Sequence, residues 1–154
     1  MAKVDLNEVK KLRELTGVGI TDAKKALEDA AGDFDKALAD MRKKGLTKAE
    51  KRAEREARAG LIGTYSHDGR IGVVVEVNCE TEFVAKTDEF KELVKDLTLQ
   101  IAASEAKDVK ALLAEPYVKN PGQSVEEFVK EHIAKLGENI VVRRFERLVL
   151  GELN

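Results

Sequence analysis

Two runs rich in β-branched and aromatic residues flank Asp68-Gly69, and this segment constrains the fold more than any other part of the chain. The runs are residues 61–67 and 70–77. Asp-Gly suits a two-residue turn that needs positive φ, so the pair predicts a β-hairpin. Apolar residues alternate along the second run and share one face of the strand, which we expect to cover a core. These residues are Ile71, Val73, Val75 and Val77.

A long helix is predicted to cover this hairpin. Thr87 and Asp88 form a helix start, and an apolar stripe with helical spacing follows them. The stripe consists of Phe90, Leu93, Val94, Leu97 and Ile101. A hairpin and a helix with matching apolar faces indicate an α+β core built on an antiparallel sheet, which is the fold class we expect.

Capping and stop signals predict the remainder of this core. Asp108 caps a short helix, and residues 116–122 contain two prolines and a glycine, which predict an irregular crossing. Ser124 with Glu127 forms a capping box, and Gly137 ends the helix that follows. Residues 139–151 are then a Val- and Leu-rich run typical of a strand.

The first third of the chain predicts three short helices around a small core. Their apolar stripes end at the turn of residues 17–19, at Gly32 and at Gly45. We expect Thr21 to cap the second helix. The stripe of the first helix consists of Leu6, Val9, Leu12 and Leu15, and the Gly-Val-Gly turn after it is the most exposed apolar point that we predict for this module.

Residues 47–59 change in character and are predicted to form a helical linker. They are rich in Lys, Arg, Glu and Ala and contain few large apolar side chains. A solvated helix with i,i+4 ion pairs explains this pattern, and a partner-binding basic face is the alternative. We adopt the solvated helix, so the expected domains are a three-helix module at 1–46, the linker at 47–59 and an α+β core at 60–154.

Charge and composition narrow the classes of function. The 154 residues hold 27 Lys and Arg against 29 Asp and Glu, a net charge of −2, so nucleic acid is not an expected partner. No run is apolar enough for a membrane span, and the N-terminal residues resemble neither a signal nor a transit peptide, so we expect a cytoplasmic protein with no membrane partner. Cys79 is the single cysteine. Catalytic motifs and metal-ligand spacings are absent from the sequence, so we expect no metal, cofactor or covalent catalysis.

The exit from the second predicted strand points to a partner protein. Phe83 lies in the segment Glu82-Phe83-Val84-Ala85, which follows this strand. It has polar neighbours and comes just before a helix start. An aromatic side chain presented on such a corner loses little entropy on binding, as interface anchors do. Glu80 and Glu82 offer a pair of carboxylates for acid-base chemistry, but surface charge is the simpler interpretation and the one we adopt.

Three segments of the chain resemble bacterial translation elongation factor Ts. They occur in the family's order and together span nearly the whole chain. They are residues 12–27 (LRELTGVGITDAKKAL), residues 70–73 with 76–85 (RIGV and EVNCETEFVA), and residues 137–140 with 143–145 (GENI and RRF). The resemblance implies a ubiquitin-associated-type three-helix domain before an α+β core, and it implies guanine-nucleotide exchange on elongation factor Tu.

The resemblance also assigns residues that contact this GTPase. The family's Thr-Asp-Phe-Val segment, whose Asp-Phe pair inserts between helices beside the magnesium and phosphate site, corresponds to Thr81-Glu82-Phe83-Val84, with Glu82 in place of the aspartate. Leu136 and Gly137 match positions that touch the same helices. His67, at the predicted hairpin tip, resembles a family histidine that faces another domain of the GTPase.

The N-terminal module contributes a second group of predicted contacts. Arg13, Ile20 and Thr21 match the module's contact surface in the family. Gly17 and Val18 belong to the turn between them, and we include both in this surface.

One core half is visible in this chain, whereas longer family members carry two halves and a coiled-coil hairpin. Short members dimerise, so we expect a homodimer formed through the edge of the final strand. Two other interpretations stay open. The chain could be an adaptor whose three-helix module binds small domains, or an RNA-associated protein that uses the basic linker with Arg143, Arg144 and Arg147.

Overall fold

The computed structural model describes residues 3–16 and 18–153, with the side chains of all of these except residues 45–48. Contacts divide the chain into two units, residues 1–52 with 130–137 and residues 53–129 with 138–154. The elements are α1 (Leu6–Thr16), α2 (Ile20–Asp29), α3 (Phe34–Arg52), β1 (Ala59–His67), β2 (Ile71–Cys79), α4 (Glu82–Ala85), α5 (Asp88–Ala102), α6 (Val109–Ala114), β3 (Pro116–Tyr117), β4 (Asn120–Ser124), α7 (Val125–Leu136) and β5 (Val141–Val149). The predicted α+β class is confirmed.

The first unit has a small core between α1, α2 and α3. Half of its buried residues are alanines, whose small side chains let the three helices approach closely. The buried residues are Val9, Leu12, Ala23, Ala26, Leu27, Ala30, Ala37 and Met41. Leu6 and Leu15, which the helical spacing placed on the same stripe, are exposed, so the apolar face of α1 is narrower than predicted.

The helix boundaries of the first unit agree only in part with the sequence. Gly19 is the N-cap of α2, so Thr21 lies inside the helix and the predicted Thr21 cap is wrong. The predicted left-handed stop lies one residue earlier than Gly32: Ala31, with a φ of +53°, follows the C-cap Ala30, and the amide of Gly32, whose φ is +83°, donates to the Leu27 carbonyl at 2.8 Å. Gly45 does not end α3, which continues to Arg52. One glycine costs about 1 kcal/mol in a helix, and the strong helix formers that follow it compensate.

The continuation of α3 changes the predicted linker. Of residues 47–59, those up to Arg52 belong to α3. Residues 53–58 are turn and irregular backbone, and Ala59 begins β1.

A three-stranded antiparallel sheet with the order β1-β2-β5 is the frame of the second unit. Asp68 and Gly69 have φ values of 52° and 67°, and the Arg70 amide donates to the His67 carbonyl over 2.9 Å, which confirms the predicted turn. His67 pairs with Ile71, so Arg70 is a third loop residue, one more than predicted. β5 pairs with the other side of β2, which makes β2 the central strand.

Helix α5 packs on β1 and β2, as the sequence predicted. Val73, Val75 and Val77 are buried, and so is every residue of the predicted α5 stripe. The Thr87 hydroxyl caps the helix by accepting from the Phe90 amide at 3.2 Å. Gly63 of β1 lies against the helix so closely that a Cβ there would be 2.5 Å from Val94 Cγ1.

Residues 116–124 form a second antiparallel pair, β3 with β4, where the sequence predicted an irregular crossing. The buried side chain of Gln100 on α5 supplies bonds that local sequence cannot reveal. Its Oε1 accepts from the Val118 amide at 2.9 Å, and its Nε2 donates to the Pro116 carbonyl at 3.2 Å. Gln100 therefore holds the backbone of this small hairpin against α5, and Asp96 of the same helix pairs with Lys119 in its turn.

The predicted helix ends of this part of the chain are confirmed. Asp108 Oδ1 accepts from the Ala111 amide at 2.8 Å and caps α6, and Ser124 Oγ accepts from the Glu127 amide at 3.1 Å at the start of α7. Gly137 has a φ of +78° and follows the last residue of α7.

Gly63→Ala should destabilise the second unit, because the added methyl group meets the stiff side chains of Val94 and Thr98. Overpacking of this kind lowers the free energy of unfolding by about 1–3 kcal/mol. Gly72→Ala is the matched control, since a Cβ at Gly72 meets nothing within 4 Å, and this change inside a strand should leave the stability unchanged or raise it by up to about 1 kcal/mol. Urea denaturation followed by circular dichroism measures both variants, and equal midpoints would contradict this packing.

Candidate functional site

The corner between β2 and α5 holds Phe83 outside the protein on a firmly anchored turn. Phe83 lies in the single-turn helix α4 and is 82% exposed, whereas its neighbours Val84 and Ala85 are buried. The Thr81 hydroxyl caps α4 by accepting from the Val84 amide at 3.3 Å. Thr87 donates to the Val84 carbonyl at 2.7 Å and so ties the end of α4 to α5. The backbone turn that carries the exposed aromatic ring is therefore held on both sides by threonine hydroxyls.

A carboxylate from a distant part of the chain supports the start of this corner. Glu138 Oε1 accepts from the backbone amides of Glu80 and Thr81 at 3.1 Å and 3.0 Å. Its Oε2 accepts from the Thr81 hydroxyl at 2.7 Å. Local sequence could not reveal this role, because the partners are 57 and 58 residues apart.

Glu80 returns the same kind of contact to the segment that contains Glu138. Its Oε1 accepts from the Asn139 amide at 2.9 Å and lies 3.7 Å from Nη1 of Arg55. Our interpretation of Glu80 as plain surface charge is therefore wrong. Glu82, in contrast, is exposed in the first turn of α4.

Asn139 extends this network to the backbone that precedes β1. Its side chain is buried, and Nδ2 donates to the carbonyls of Ala53 and Arg55 at 3.3 Å and 2.7 Å. The segments around residues 54, 80 and 139 are thus joined by hydrogen bonds at one end of the sheet.

Cys79 lies directly before this corner as a protected thiol. The residue is buried, and its Sγ donates to the Thr81 carbonyl at 3.2 Å. Burial is the main cause that raises the pKa of Cys79 to about 11, with a further contribution from the carboxylate of Glu138. The side chain is therefore protonated at neutral pH and is not a nucleophile.

The predicted contacts of the N-terminal module lie in the first unit. Arg13 at the end of α1 is exposed, and so are Ile20 and Thr21 in the first turn of α2. Val18 is half-buried and packs against the helical core, so it is not the exposed apolar point that we predicted. Gly17 lies outside the described residues.

Leu136 and Gly137 also fall in the first unit by their contacts. Leu136 is the half-buried last residue of α7, and the Gly137 amide donates to the Ile133 carbonyl at 3.0 Å. The next residue in the chain is Glu138, which belongs to the second unit.

His67 lies at the end of β1, beside the hairpin turn, and is exposed as predicted. Its Nδ1 is 2.9 Å from the hydroxyl of Tyr65, and its Nε2 is 3.7 Å from Asp68 Oδ2. The imidazole is thus oriented by groups of its own hairpin.

The arginines of β5 are bound by neighbouring groups of the protein. Arg143 donates to Asn78 Oδ1 at 3.0 Å, and Arg147 donates to the Ala102 carbonyl at 3.2 Å. Arg144 donates to Glu76 Oε1 at 2.9 Å. A hydrogen bond from Asn78, followed by that from Arg144, lowers the pKa of Glu76. All three arginines assigned to RNA thus have hydrogen-bond partners within the fold.

The described residues contain neither a cluster of metal-ligating side chains nor a helix that could cross a membrane. Within residues 3–16 and 18–153, no group of three or more His, Cys, Asp or Glu side chains is placed to hold a metal ion. The same part of the chain contains no helix of the length and apolarity that a membrane crossing requires.

A family model and the curated relatives of this chain name the same protein family. The family model described as elongation factor TS matches residues 80–153, which include Phe83, Glu138 and β5. The elongation factor Ts of Microcystis aeruginosa is 41% identical, over 99% of this chain and 79% of that protein. The elongation factor Ts of Synechococcus elongatus is 42% identical, over 99% of this chain and 90% of the relative. That of Nostoc punctiforme is 47% identical over 99% of this chain and 48% of its own length.

The alignments also show that this chain is shorter than the relative from Microcystis. The match to the Microcystis protein runs over 199 positions against the 154 residues here, so that relative contains at least 45 residues with no counterpart in this chain. The identity nevertheless extends through both units, and the predicted resemblance is confirmed. With this coverage and this level of identity, the chain belongs to the elongation factor Ts family of translation elongation factors.

Proposed function

We propose that this chain is a guanine-nucleotide exchange factor for elongation factor Tu and accelerates the release of GDP from it. Membership of the elongation factor Ts family supports this proposal. The observation that carries it is the geometry of Phe83, an 82% exposed aromatic ring on a capped turn whose next two residues are buried. An apolar wedge on a stiff base is what a factor needs if it acts by displacing elements of a partner.

We propose that Phe83 acts as a wedge that moves helices of the GTPase. The ring enters between helices of the GTPase that shape its magnesium and phosphate site. Because magnesium links the nucleotide's phosphates to the GTPase, separating these helices weakens the binding of ion and nucleotide together. By linkage, nucleotide binding weakens the binding of the factor to the same degree, so the exchange is reversible. This chain makes and breaks no covalent bond.

Phe83 requires other contacts to hold the factor in place. Burying one phenylalanine contributes roughly 1.5–3 kcal/mol, and part of this opposes the cost of moving the GTPase helices. We propose that the exposed residues Arg13, Ile20 and Thr21 bind the GTPase as a ubiquitin-associated-like module. Leu136 and Gly137 form a second holding contact, His67 reaches a further domain, and Glu82 places a carboxylate beside the wedge.

We also propose that two copies of the chain associate through the outer face of the three-stranded sheet. Ile62, Val74 and Leu148 are 60%, 40% and 69% exposed. The strand registers place them diagonally next to one another, one on each strand, so they form an apolar stripe across the sheet. Glu146 of β5 lies opposite Val74 and is also exposed, whereas Arg144 is held by Glu76 of its own chain. We place the interface on this face instead of on the edge of β5 that the sequence suggested.

Phe83→Ala tests the wedge. We expect the factor-stimulated release of fluorescent GDP from elongation factor Tu, measured by stopped flow, to fall by about 10- to 150-fold, because the burial of one phenylalanine is lost. Val118→Ala is the control, since Val118 is an exposed aliphatic residue on the turn between β3 and β4. If the wild type fails to accelerate release, the exchange function is wrong; if the alanine variant equals the wild type, only the wedge is wrong.

Ile20→Ala tests the holding contact of the N-terminal module. We expect the factor concentration for half-maximal stimulation to rise about three- to tenfold, since some apolar burial is lost, while the maximal rate stays unchanged. Leu6→Ala removes a comparable exposed side chain from α1 and should behave as wild type. A fall in maximal rate without a change in half-saturation would contradict this division of roles.

The dimer has its own test. Light scattering at micromolar concentration should give twice the chain mass of 17.0 kDa, and Leu148→Glu should give the monomer because it buries a charge in the apolar stripe. Leu153→Glu changes an exposed leucine beyond β5 and should leave the dimer intact. A monomeric wild type would refute the dimer, and a dimeric Leu148→Glu variant would refute the stripe as its interface.

A further inference from the structure

The backbone leaves the sheet at Glu80 and Thr81, and two amide groups there need new partners. The β1-β2 ladder ends with Cys79, and α4 begins only at Glu82. Both amides donate to the same oxygen of Glu138, at 3.1 Å and 3.0 Å. A carboxylate is a strong acceptor of this kind, and two bonds to one oxygen fix the direction of the chain as it enters the turn.

The second oxygen of Glu138 controls the cap of α4. Oε2 accepts a hydrogen bond from the Thr81 hydroxyl at 2.7 Å, which leaves the lone pairs of that hydroxyl free to accept from the Val84 amide. A four-residue helix has no stability of its own, because nucleation costs more than one turn returns. The cap, together with the burial of Val84 and Ala85, therefore decides whether this turn keeps its shape.

The exposed ring of Phe83 depends on this support. Because the side chain is 82% exposed, its own contacts do not hold it, and its direction is set by the backbone of residues 81–84. The reciprocal bond from the Asn139 amide to Glu80 Oε1 prevents the two segments from sliding past each other. Both bonds cross between the same two short segments, so they act as one clamp.

We infer that Glu138 is a positioning residue for nucleotide exchange, which acts through Thr81 to hold Phe83 in the orientation that enters the GTPase. The inference rests on the proposed exchange function for its kinetic consequence. Its structural consequence, the order of the turn at residues 81–84, can be measured on this chain alone.

The structural experiment is amide hydrogen exchange of wild type, Glu138→Ala and Glu105→Ala. In Glu138→Ala, exchange at Thr81 and Val84 should be at least about tenfold faster, while Leu97 in the middle of α5 keeps its protection. Glu105→Ala removes an exposed carboxylate from the loop between α5 and α6 and should leave the corner unchanged. Unchanged protection at Thr81 and Val84 in Glu138→Ala overturns the inference, whatever the exchange activity of the protein.

The kinetic experiment is a double-mutant cycle between Glu138→Ala and Phe83→Ala in the GDP-release assay. Alone, Glu138→Ala should slow stimulated release about tenfold; on the Phe83→Ala background it should cause less than about a twofold further loss, because no ring remains to be positioned. Equal losses on both backgrounds would show that Glu138 acts independently of Phe83 and would overturn the inference. A Phe83→Ala variant with full activity would instead refute the wedge, and the hydrogen-exchange result would stand.

Glu138→Gln distinguishes a positioning role of Glu138 from a general loss of folding. The amide oxygen can still accept from Glu80 and Thr81, and the amide nitrogen can donate to the Thr81 hydroxyl, so we expect activity within about threefold of wild type. A merely structural role predicts that activity follows thermal stability in all three proteins. Loss of activity in Glu138→Gln as large as in Glu138→Ala, at wild-type stability, would contradict positioning by these hydrogen bonds.

Discussion

The close approach of α5 to the β1-β2 hairpin at Gly63 sets the geometry of the second unit. A residue without a side chain lets Val94 and Thr98 of the helix reach the strand. Once α5 is fixed there, its cap Thr87 is fixed too, and Thr87 holds the Val84 carbonyl at the end of α4. The position of the Phe83 turn therefore follows from packing in the core. For this reason the Cα–Cβ bond of Phe83 has a defined direction although the side chain is exposed.

Local signals were sufficient for most elements, and distant contacts explain most of the errors. The Asp68-Gly69 turn, the Thr87 cap with its α5 stripe and the stop at Gly137 each depend on residues close in sequence, and all three are confirmed. The hairpin of β3 and β4 was missed because Gln100, 16 and 18 residues away, satisfies its backbone. Gly45 was overvalued as a stop, since one unfavourable residue does not end a helix that its neighbours favour.

The candidate site was also predicted only where its features depend on local sequence. Phe83 could be found from the sequence, because an aromatic residue at a strand exit is conspicuous by itself. The roles of Glu80 and Glu138 could not, because a carboxylate that accepts from a backbone 57 residues away has the same local pattern as a solvated one. Phe83 gains little from its own fold while it is exposed, so the free energy of its burial remains for a partner. The hydrogen bonds of the surrounding residues must therefore hold the backbone turn that carries the ring.

The strand order has a consequence for how the chain is made. β2 is the central strand, but β5 pairs with it only from residues far along the sequence, with Phe145 opposite Val75 and 70 positions later. At a synthesis rate of roughly 5–20 residues per second, this interval lasts about 4–14 seconds. During this time a Val-rich edge of the nascent sheet has no partner strand, whereas the helices of the first unit can already pack on each other. The second unit is thus the part of the polypeptide most exposed to misassociation on the ribosome.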